Sequence, residues 1–309
     1  MGVYGALVEL HNEEHMGLSF DSSDTFASVV ESTGRSVVRV EGGRSRPVSG
    51  LAISATQVVT VSHGLERDEI VVGVEGVTLK AHLKGRDDST DLALLELEGG
   101  ELPAARLDDG GQLKVGHTVL RLARPGETVR ATTGIVSALG KKSYRAARGG
   151  EIDRYLETDA AHLPGFSGGP VVTSSGAVVG ITSSALLRHV SLAIPTVTIR
   201  RIVAELEQHG RVRRSHLGLK LQPVQLPEPV HAMTQEEIGL LVIEVEPGGP
   251  AEAGGVVYGD TLLHLGDDSV RTLHDLYGYL RQDHGGMTVP VKVFRHQEIV
   301  TLQVTLGAK

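Results

Sequence analysis

The sequence contains no cysteine and no tryptophan in 309 residues, and aromatic side chains make up only 3% of it. Without cysteine the chain can form neither disulfides nor thiolate centres, which leaves its redox compartment undecided. Basic residues are also few, with 30 Lys and Arg against 38 Asp and Glu, for a formal charge of −8. Nucleic acids and acidic membrane surfaces attract basic faces. We therefore expect neither of them as the main partner.

Long hydrophobic runs are absent as well. Nothing in the sequence approaches the roughly 18 consecutive apolar residues of a membrane-spanning helix. Residues 1–17 lack the basic segment and apolar run of a secretory signal. We expect no membrane span in this chain, and its localisation is unknown from the sequence.

What the sequence does contain is glycine, at 39 positions, together with many short apolar bursts. Between residues 36 and 194 these bursts include SVVRV, QVVTV, EIVVGV, LALLEL and AVVGITS, and Gly, Pro, Asp and Ser repeatedly separate them. Short apolar runs bounded by turn residues are typical of an all-β barrel or sandwich. The length and the 40% hydrophobic content predict two or three domains with buried cores.

Two helices are predicted at the ends of this β-rich part. The stretch DTFASVVES places Phe26, Val29 and Val30 on one helical face behind a candidate Asp24 cap. The stretch PTVTIRRIVAELEQHG has apolar residues at helical spacing and ends at Gly210, a residue type that commonly stops helices.

A second, smaller unit follows a basic run that indicates a linker. It contains the strand-like stretches LGLKL, GLLVIEV, DTLLHL, VPVKVF and VTLQVTL, with one helix at about 272–283. The predicted divisions are an amino-terminal segment 1–23, a first domain 24–210, a linker 211–215 and a second domain 216–309.

Three segments carry the residue types of nucleophilic serine catalysis. His63 follows the burst QVVTV, Asp91 precedes LALLEL, and Ser167 lies in GFSGGP. Such catalysis needs a base for the hydroxyl, a group that orients the base, and donors that face the oxyanion. The glycines around Ser167 allow a tight turn whose amides converge, so those of Gly165, Phe166 and Ser167 are candidate oxyanion donors.

Four segments together resemble one family. VVTVSHGL surrounds the histidine, DLALLEL contains the aspartate, ETDAAHLPGFSGGPVV contains the serine, and LAIP precedes the closing helix. Over residues 24–306 the chain resembles the HtrA (high-temperature-requirement, Deg) serine proteases, which are mainly β. Their fold is a trypsin-like double six-stranded β-barrel followed by a PDZ domain (α+β). The resemblance implies His63 as general base, Asp91 as its orienting carboxylate and Ser167 as nucleophile, with no metal or organic cofactor.

The same resemblance implies an activity, a role for the PDZ domain, an assembly state and a compartment. It implies an endopeptidase that degrades unfolded or misfolded proteins, with a PDZ domain that binds peptide C-termini and regulates activity. Members of the family form homotrimers through an amino-terminal segment, often with aromatic residues, and Tyr4 and Phe20 could serve here. The family is usually periplasmic or extracytoplasmic in bacteria.

The sequence departs from the family at two positions beside the site. Phe166 replaces the usual asparagine or other small polar residue, and Ser62 replaces an asparagine or alanine. The bulk of Phe166 suggests an altered loop or an inactive resting shape. An alternative is therefore a proteolytically silent PDZ-bearing scaffold or chaperone-like binding protein, although the intact triad favours the protease.

Four residues are predicted to form the substrate pocket. In trypsin-like enzymes the position of Ala161, six residues before Ser167, floors the primary specificity pocket. This floor is uncharged, and the apolar stretch that follows starts with Ile181, Thr182 and Ser183. These features predict cleavage after small or medium aliphatic residues.

The second domain offers a peptide-binding groove. A backbone nest at Leu217, Gly218 and Leu219 can hold a terminal carboxylate, while the following strand, with Leu221, pairs with an extended peptide. Leu276 and Leu280 on the later helix would line the other side, although a four-residue leucine interval is equally typical of a core.

HNEEH at residues 11–15 spells a zinc-binding motif, with His11 and His15 as ligands and Glu14 as base. A catalytic zinc site also needs a third ligand and a supporting helix. The terminal position of this pentapeptide favours a solvated polar segment instead.

Overall fold

The computed structural model describes residues 22–43, 46–67, 69–146, 149–186, 192–234, 236–280 and 284–308. The chain divides after Val212 into two compact units. The expectations for Tyr4, Phe20 and the HNEEH segment lie outside the described residues. No helix in the described ranges combines the length and the apolar character needed to cross a membrane.

The first unit begins with a closed antiparallel barrel of six strands. These strands are β1 Val37–Glu41, β2 Val48–Ala52, β3 Gln57–Val61, β4 Ile70–Val74, β5 Val77–Asp87 and β6 Leu92–Leu97. They neighbour one another in the order β1, β2, β3, β6, β5, β4, and β4 pairs with β1. Closure leaves no strand edge unpaired.

Strands β1, β2, β3 and β6 are buried on both faces over most of their length, which explains their apolar runs, whereas β5 is largely exposed. In β1, Val38 and Val40 belong to the cluster inside the barrel, whereas Val37 belongs to a second cluster that also contains residues of the following sheet. The same division separates Val58 from Val59 in β3. Alternate side chains of a strand face opposite sides, so a strand covered on both sides needs apolar residues at consecutive positions.

A second six-stranded sheet completes this unit. Its part of the chain contains β7 Thr118–Ala123, β8 Arg130–Leu139, β9 Tyr144–Arg145, β10 Glu151–Ile152, β11 Leu156–Thr158, β12 Pro170–Thr173, β13 Val178–Thr182 and β14 Ala193–Pro195. The sheet order is β11, β8, β7, β12, β13, β14, and β9 pairs separately with β10. A bridge between Glu157 of β11 and Leu192 brings the two ends of the sheet together. The predicted double six-stranded barrel is confirmed.

Both predicted helices of this unit are present. Helix α1 spans Ser22–Gly34, and Asp24 lies within its first turn, so the prediction that Asp24 caps it is wrong. Helix α2 spans Thr196–His209. It ends as predicted at Gly210, which adopts a left-handed φ of 70° and donates its amide to Leu206 O.

The second unit is a small α+β domain. Its elements are β15 Ser215–His216, β16 Leu219–Gln225, α3 Glu228–Thr234, β17 Ile238–Val245, α4 Pro250–Ala253, β18 Thr261–Leu265, β19 Asp268–Ser269, α5 Leu273–Leu280, β20 Thr288–Arg295, β21 Glu298–Thr305 and β22 Gly307–Ala308. The main sheet has the order β16, β17, β18, β20, β21. The unit has its own apolar core cluster.

Glu96 of β6 links three segments of the first barrel. Its carboxylate accepts hydrogen bonds from Thr56 Oγ1 at 2.7 Å, Lys84 Nζ at 3.0 Å and Gln57 Nε2 at 3.1 Å. The hydrogen bond from Thr56, followed by those from Lys84 and Gln57, lowers the pKa of Glu96 from 4.5 to about 2, against the opposing effect of burial. Because the folded-state pKa is depressed, the ionised form stabilises the fold above about pH 4.5, and this contribution is lost as the pH falls toward 2.

We expect Glu96→Gln to lower the free energy of unfolding by about 1–2 kcal/mol at pH 7, since it removes charge-assisted hydrogen bonds. Urea unfolding of wild type and variant at pH 7 and pH 3 measures the difference, which should shrink at pH 3. Glu98→Gln, at an exposed site just beyond the strand, is the control and should change the unfolding free energy by less than about 0.5 kcal/mol. An undiminished difference at pH 3 would contradict the assignment.

Candidate active site

His63 and Asp91 meet at the end of strands β3 and β6. A short 3-10 turn, Ser62–Gly64, follows β3 and carries His63 out of the barrel wall. The ring atom His63 Nδ1 lies 2.7 Å from Asp91 Oδ2, and the His63 amide donates to Asp91 Oδ1 at 3.0 Å. A carboxylate accepts only, so the neutral ring donates from Nδ1 and leaves Nε2 as an acceptor.

Asp91 is buried and held by several hydrogen bonds, which distinguishes it from an ordinary exposed turn residue. Only 1% of it is exposed, and its backbone has a left-handed φ of 62°, a conformation that Asp and Asn tolerate best among side-chain-bearing residues. Its carbonyl accepts from the Ser62 amide at 3.0 Å, and Ser183 Oγ donates to Oδ2 at 2.5 Å. These bonds hold an ionised carboxylate against the His63 ring.

The segment before Ser167 forms a type II turn. The Phe166 amide donates to Leu163 O at 3.0 Å, with Pro164 and Gly165 at the two central positions. Gly165 has φ 87°, the left-handed value that this turn requires at its third residue. A Cβ at Gly165 would lie 2.5 Å from Pro125 Cβ, so the turn admits glycine alone.

The carbonyl groups of this loop are tied back into the protein. Ser49 Oγ donates to Gly165 O at 2.7 Å, the Ser49 amide donates to Ser167 O at 2.9 Å, and Thr182 Oγ1 donates to Phe166 O. Within the described residues, the amides of Gly165 and Ser167 have no acceptor. These two amides are therefore free to bind an anion.

The prediction that Phe166 contributes an oxyanion donor is corrected by this geometry, because its amide closes the turn. Its side chain is fully buried. The glycines after Ser167 permit close contact with the barrel strands: a Cβ at Gly168 would lie 1.9 Å from Ser49 O. The bulk of Phe166 was predicted to alter this loop. In the structure the Phe166 side chain packs inward, and its carbonyl group stays hydrogen-bonded to Thr182.

Ser167 itself is 5% exposed and has two side-chain partners. Its Oγ lies 3.3 Å from His162 Nε2 and 3.2 Å from Ser184 Oγ. In the described part of the chain no hydrogen bond joins Ser167 Oγ to His63. Sequence reasoning missed His162 and Ser184, and it assigned Ser183 to the substrate pocket whereas Ser183 binds Asp91. Their only signal was two serines directly after an apolar strand and a histidine five residues before Ser167.

His162 is a neutral imidazole at physiological pH. Burial, followed by the electrostatic effects of Arg121 and His63, lowers its pKa from 6.5 to about 4. Its ring also meets the Phe166 ring edge-on at a centroid distance of 6.5 Å. His162 is therefore the imidazole that contacts Ser167, and it lies near enough to His63 for the two rings to interact electrostatically.

Three of the four predicted pocket residues have other contacts, and the fourth, Ala161, lies at the surface. Ile181 is fully buried in the core cluster shared by the two barrels, and Thr182 is fully buried and hydrogen-bonded to the nucleophile loop. Ser183 binds Asp91, and Ala161 is exposed. These placements correct the prediction for Ile181 and Thr182. The strand that carries them is covered on both faces, so its apolar side chains are not available to a substrate.

In the second unit, strand β16 forms an edge of the main sheet. Among the described residues it pairs with β17 alone, and helix α5 packs against it. Gly218 precedes it with a left-handed φ of 78°, and the carbonyls of Leu217 and Gly218 accept amides of the domain itself. The other predicted groove residues belong to the core or pack against it, namely Leu219, Leu221, Leu276 and Leu280.

Two family descriptions match the chain. Residues 48–181 match "Trypsin-like peptidase domain", and residues 215–306 match "PDZ domain". The first match contains His63, Asp91 and Ser167, and the second contains β16 and α5.

Curated relatives cover most of the chain. The "Probable periplasmic serine endoprotease DegP-like" of Marinomonas sp. (strain MWYL1) is 32% identical over 283 residues, which are 87% of this chain and 58% of that protein. A protein with the same description from Ectopseudomonas mendocina (strain ymp) is 35% identical over 282 residues, 87% of this chain and 59% of its own length. The chain thus spans less than two thirds of these relatives.

This chain covers a larger share of the solved structures that it matches than of the curated relatives. The serine endoprotease from Yersinia pestis aligns with a TM-score of 0.76 at 26% identity, covering 92% of this chain and 98% of that one. The HtrA-type protease AlgW with a tripeptide aligns with a TM-score of 0.74 at 26% identity, covering 92% and 97%.

Proposed function

We propose that this chain, a member of the HtrA-type serine protease family, is a serine endopeptidase acting on unfolded or misfolded proteins. In this family a trypsin-like peptidase domain precedes a PDZ domain. The observation that supports this most is the buried Asp91 carboxylate 2.7 Å from His63 Nδ1. Two adjacent serines connect this pair to the loop with two unengaged amides, because Ser183 binds Asp91 and Ser184 binds Ser167. A barrel used only as a scaffold has no need of either feature.

Acylation uses four groups of the site. Ser167 Oγ attacks the peptide carbonyl carbon while His63 Nε2 takes the hydroxyl proton. Asp91 keeps the ring in the required tautomer and stabilises the imidazolium that forms. The amides of Gly165 and Ser167 donate to the developing oxyanion.

Hydrolysis then follows in two steps. His63 returns its proton to the departing amine, which breaks the C–N bond and leaves the acyl group on Ser167. Water next attacks the ester carbon, again with His63 as base, and releases the carboxylic acid and free Ser167. The chemistry proceeds through groups of the chain and water alone.

The alternative of a silent scaffold rested on Phe166. The burial of that side chain and the unengaged amides on either side of it remove the reason to expect a blocked oxyanion site. The comparisons also name proteases, including curated relatives described as serine endoproteases. We therefore do not favour the scaffold.

Degradation of an unfolded protein tests the proposal. Reduced or naturally unfolded β-casein is incubated with the chain, with and without peptides that end in a free carboxylate, and fragments are followed by mass spectrometry. New amino termini inside the casein sequence support an endopeptidase. No cleavage and no reaction with a fluorophosphonate at any peptide concentration would reject it.

For the PDZ domain we propose binding of peptide C-termini by β-strand addition to β16, with the carboxylate in the turn at Gly218. The open edge of β16 supports the pairing, and the left-handed Gly218 supports a backbone nest. The AlgW structure with a tripeptide is a related case. Homotrimer formation through the amino-terminal segment stays a proposal from the family resemblance.

We expect Gly218→Ala to weaken binding of such a peptide by about 10-fold, because a side chain disfavours the left-handed conformation by roughly 1–2 kcal/mol. Fluorescence anisotropy with a labelled peptide measures the Kd. Gly248→Ala is the matched control, since Gly248 also has positive φ but lies in open space. Equal weakening by both variants, or unchanged binding of a carboxy-terminally amidated peptide, would count against the nest.

A further inference from the structure

The nucleophile of the proposed protease is held by groups outside the triad. Ser167 Oγ has His162 Nε2 at 3.3 Å and Ser184 Oγ at 3.2 Å, while His63 is bonded to Asp91 and makes no hydrogen bond to Ser167 in the described chain. A hydroxyl has one proton and can direct it to one strong acceptor. Ser167 Oγ donates that proton to Ser184 Oγ, and its contact with His162 Nε2 holds the oxygen, so both interactions compete with the hydrogen bond to His63 that activation requires.

The two imidazoles of the site are not equivalent. His63 has the buried carboxylate of Asp91 on Nδ1, and this carboxylate stabilises the imidazolium that forms when Nε2 accepts a proton. His162 has no carboxylate partner among the described residues, and it sits near the cationic Arg121. A proton accepted by His162 would be poorly stabilised, so this ring is suited to hold the hydroxyl and unsuited to act as its base.

The surroundings of His162 keep it in that position. Its ring packs edge-on against Phe166, whose side chain is fully buried and whose carbonyl is tied to Thr182. Ser184 is exposed and belongs to the segment that follows β13. One of the two partners is thus fixed by packing and the other is supplied by a surface segment.

We propose that His162 is a positioning residue that, with Ser184, holds the Ser167 hydroxyl turned away from His63 in the resting enzyme and so slows acylation. The proposal rests on the proposed function of Ser167 as nucleophile. Substrate that enters between His162 and Ser184 displaces these bonds, and the hydroxyl then turns to His63 Nε2. Phe166, the departure from the family pattern, supports the ring that makes the contact.

The test compares two replacements of His162. Leu fills a similar volume without a hydrogen-bonding atom, whereas Gln places an amide where Nε2 lies. The second-order rate of Ser167 labelling by a small fluorophosphonate is measured for each, because this probe needs no substrate side chain. We expect His162→Leu to label about 3- to 10-fold faster than wild type, the factor that corresponds to one net hydrogen bond. His162→Gln should label several-fold more slowly than the Leu variant.

Two controls make the outcome decisive. His82→Leu, at an exposed position on β5, should label at the wild-type rate. Ser184→Ala removes the second partner at an exposed site and should accelerate labelling even if the His162 variants fold poorly. Equal rates for wild type, His162→Leu and Ser184→Ala would overturn the proposal, and a large decrease in His162→Leu would show that His162 instead assists catalysis. Absence of labelling in every variant would reject the proposed function itself.

Discussion

Replacement of Ser167 by Ala is expected to lower kcat for casein or peptide cleavage by about 10⁶-fold, the loss seen when the nucleophile of such a site is removed. The physical reason is that the acyl-enzyme route is lost entirely. Only binding and the amides around residue 165 remain, and these give a small residual acceleration over water. The fold should persist, because the Ser167 carbonyl, which is bonded to Ser49, is unchanged.

Active-site titration and single-turnover cleavage measure this loss. His63→Ala should match it within about tenfold, and the double variant should be no slower, because the groups of a triad act as one unit. Ser184→Ala removes a partner of the same hydroxyl and should be at least as active as wild type, which separates loss of the nucleophile from loss of a neighbouring hydroxyl. Cleavage by Ser167→Ala within about a hundredfold of wild type would mean that another nucleophile is at work.

Replacement of Asp91 by Asn is expected to lower kcat/KM by about 10⁴-fold with little change in stability. Asn tolerates the left-handed φ of 62° at this position, and its carbonyl oxygen can still accept from the His63 amide. Its amide group, however, donates to His63 Nδ1 and so favours the tautomer with the proton on Nε2. A ring in that form cannot accept the proton of Ser167.

Steady-state kinetics with a peptide substrate, together with thermal unfolding, measure both parts of this prediction. The control is Asp88→Asn. Asp88 is also close to the histidine turn through Ser62 but does not touch the ring, and its loss should cost less than about tenfold. If the two variants lose activity equally, the carboxylate at Asp91 does not orient His63 in the way proposed here.

Much of the fold followed from local patterns. The bursts SVVRV and QVVTV predict strands and form β1 and β3. They are apolar at consecutive positions because residues on both faces of these strands are buried, in different clusters. The helix before Gly210 was predictable to its last turn, because apolar spacing and a left-handed glycine are properties of neighbouring residues. The prediction that Asp24 caps its helix was wrong because the helix begins at Ser22, and the exact first residue of a helix is not specified by one side chain.

The sequence by itself determined the order of the two domains, the strand-rich architecture and the three residues proposed for the chemistry, since motif and periodicity are short-range properties. Only the tertiary structure decided which groups surround Ser167. His162 and Ser184 reach it because a turn and a strand end from different parts of the sheet converge there. Ile181 and Thr182 face the interior because the sheet is covered on both sides. The pairing of β12 with β13 brings Ser184 to Ser167 across 17 positions of the chain, and neither this contact nor the turn that presents His162 leaves a periodic trace in the sequence.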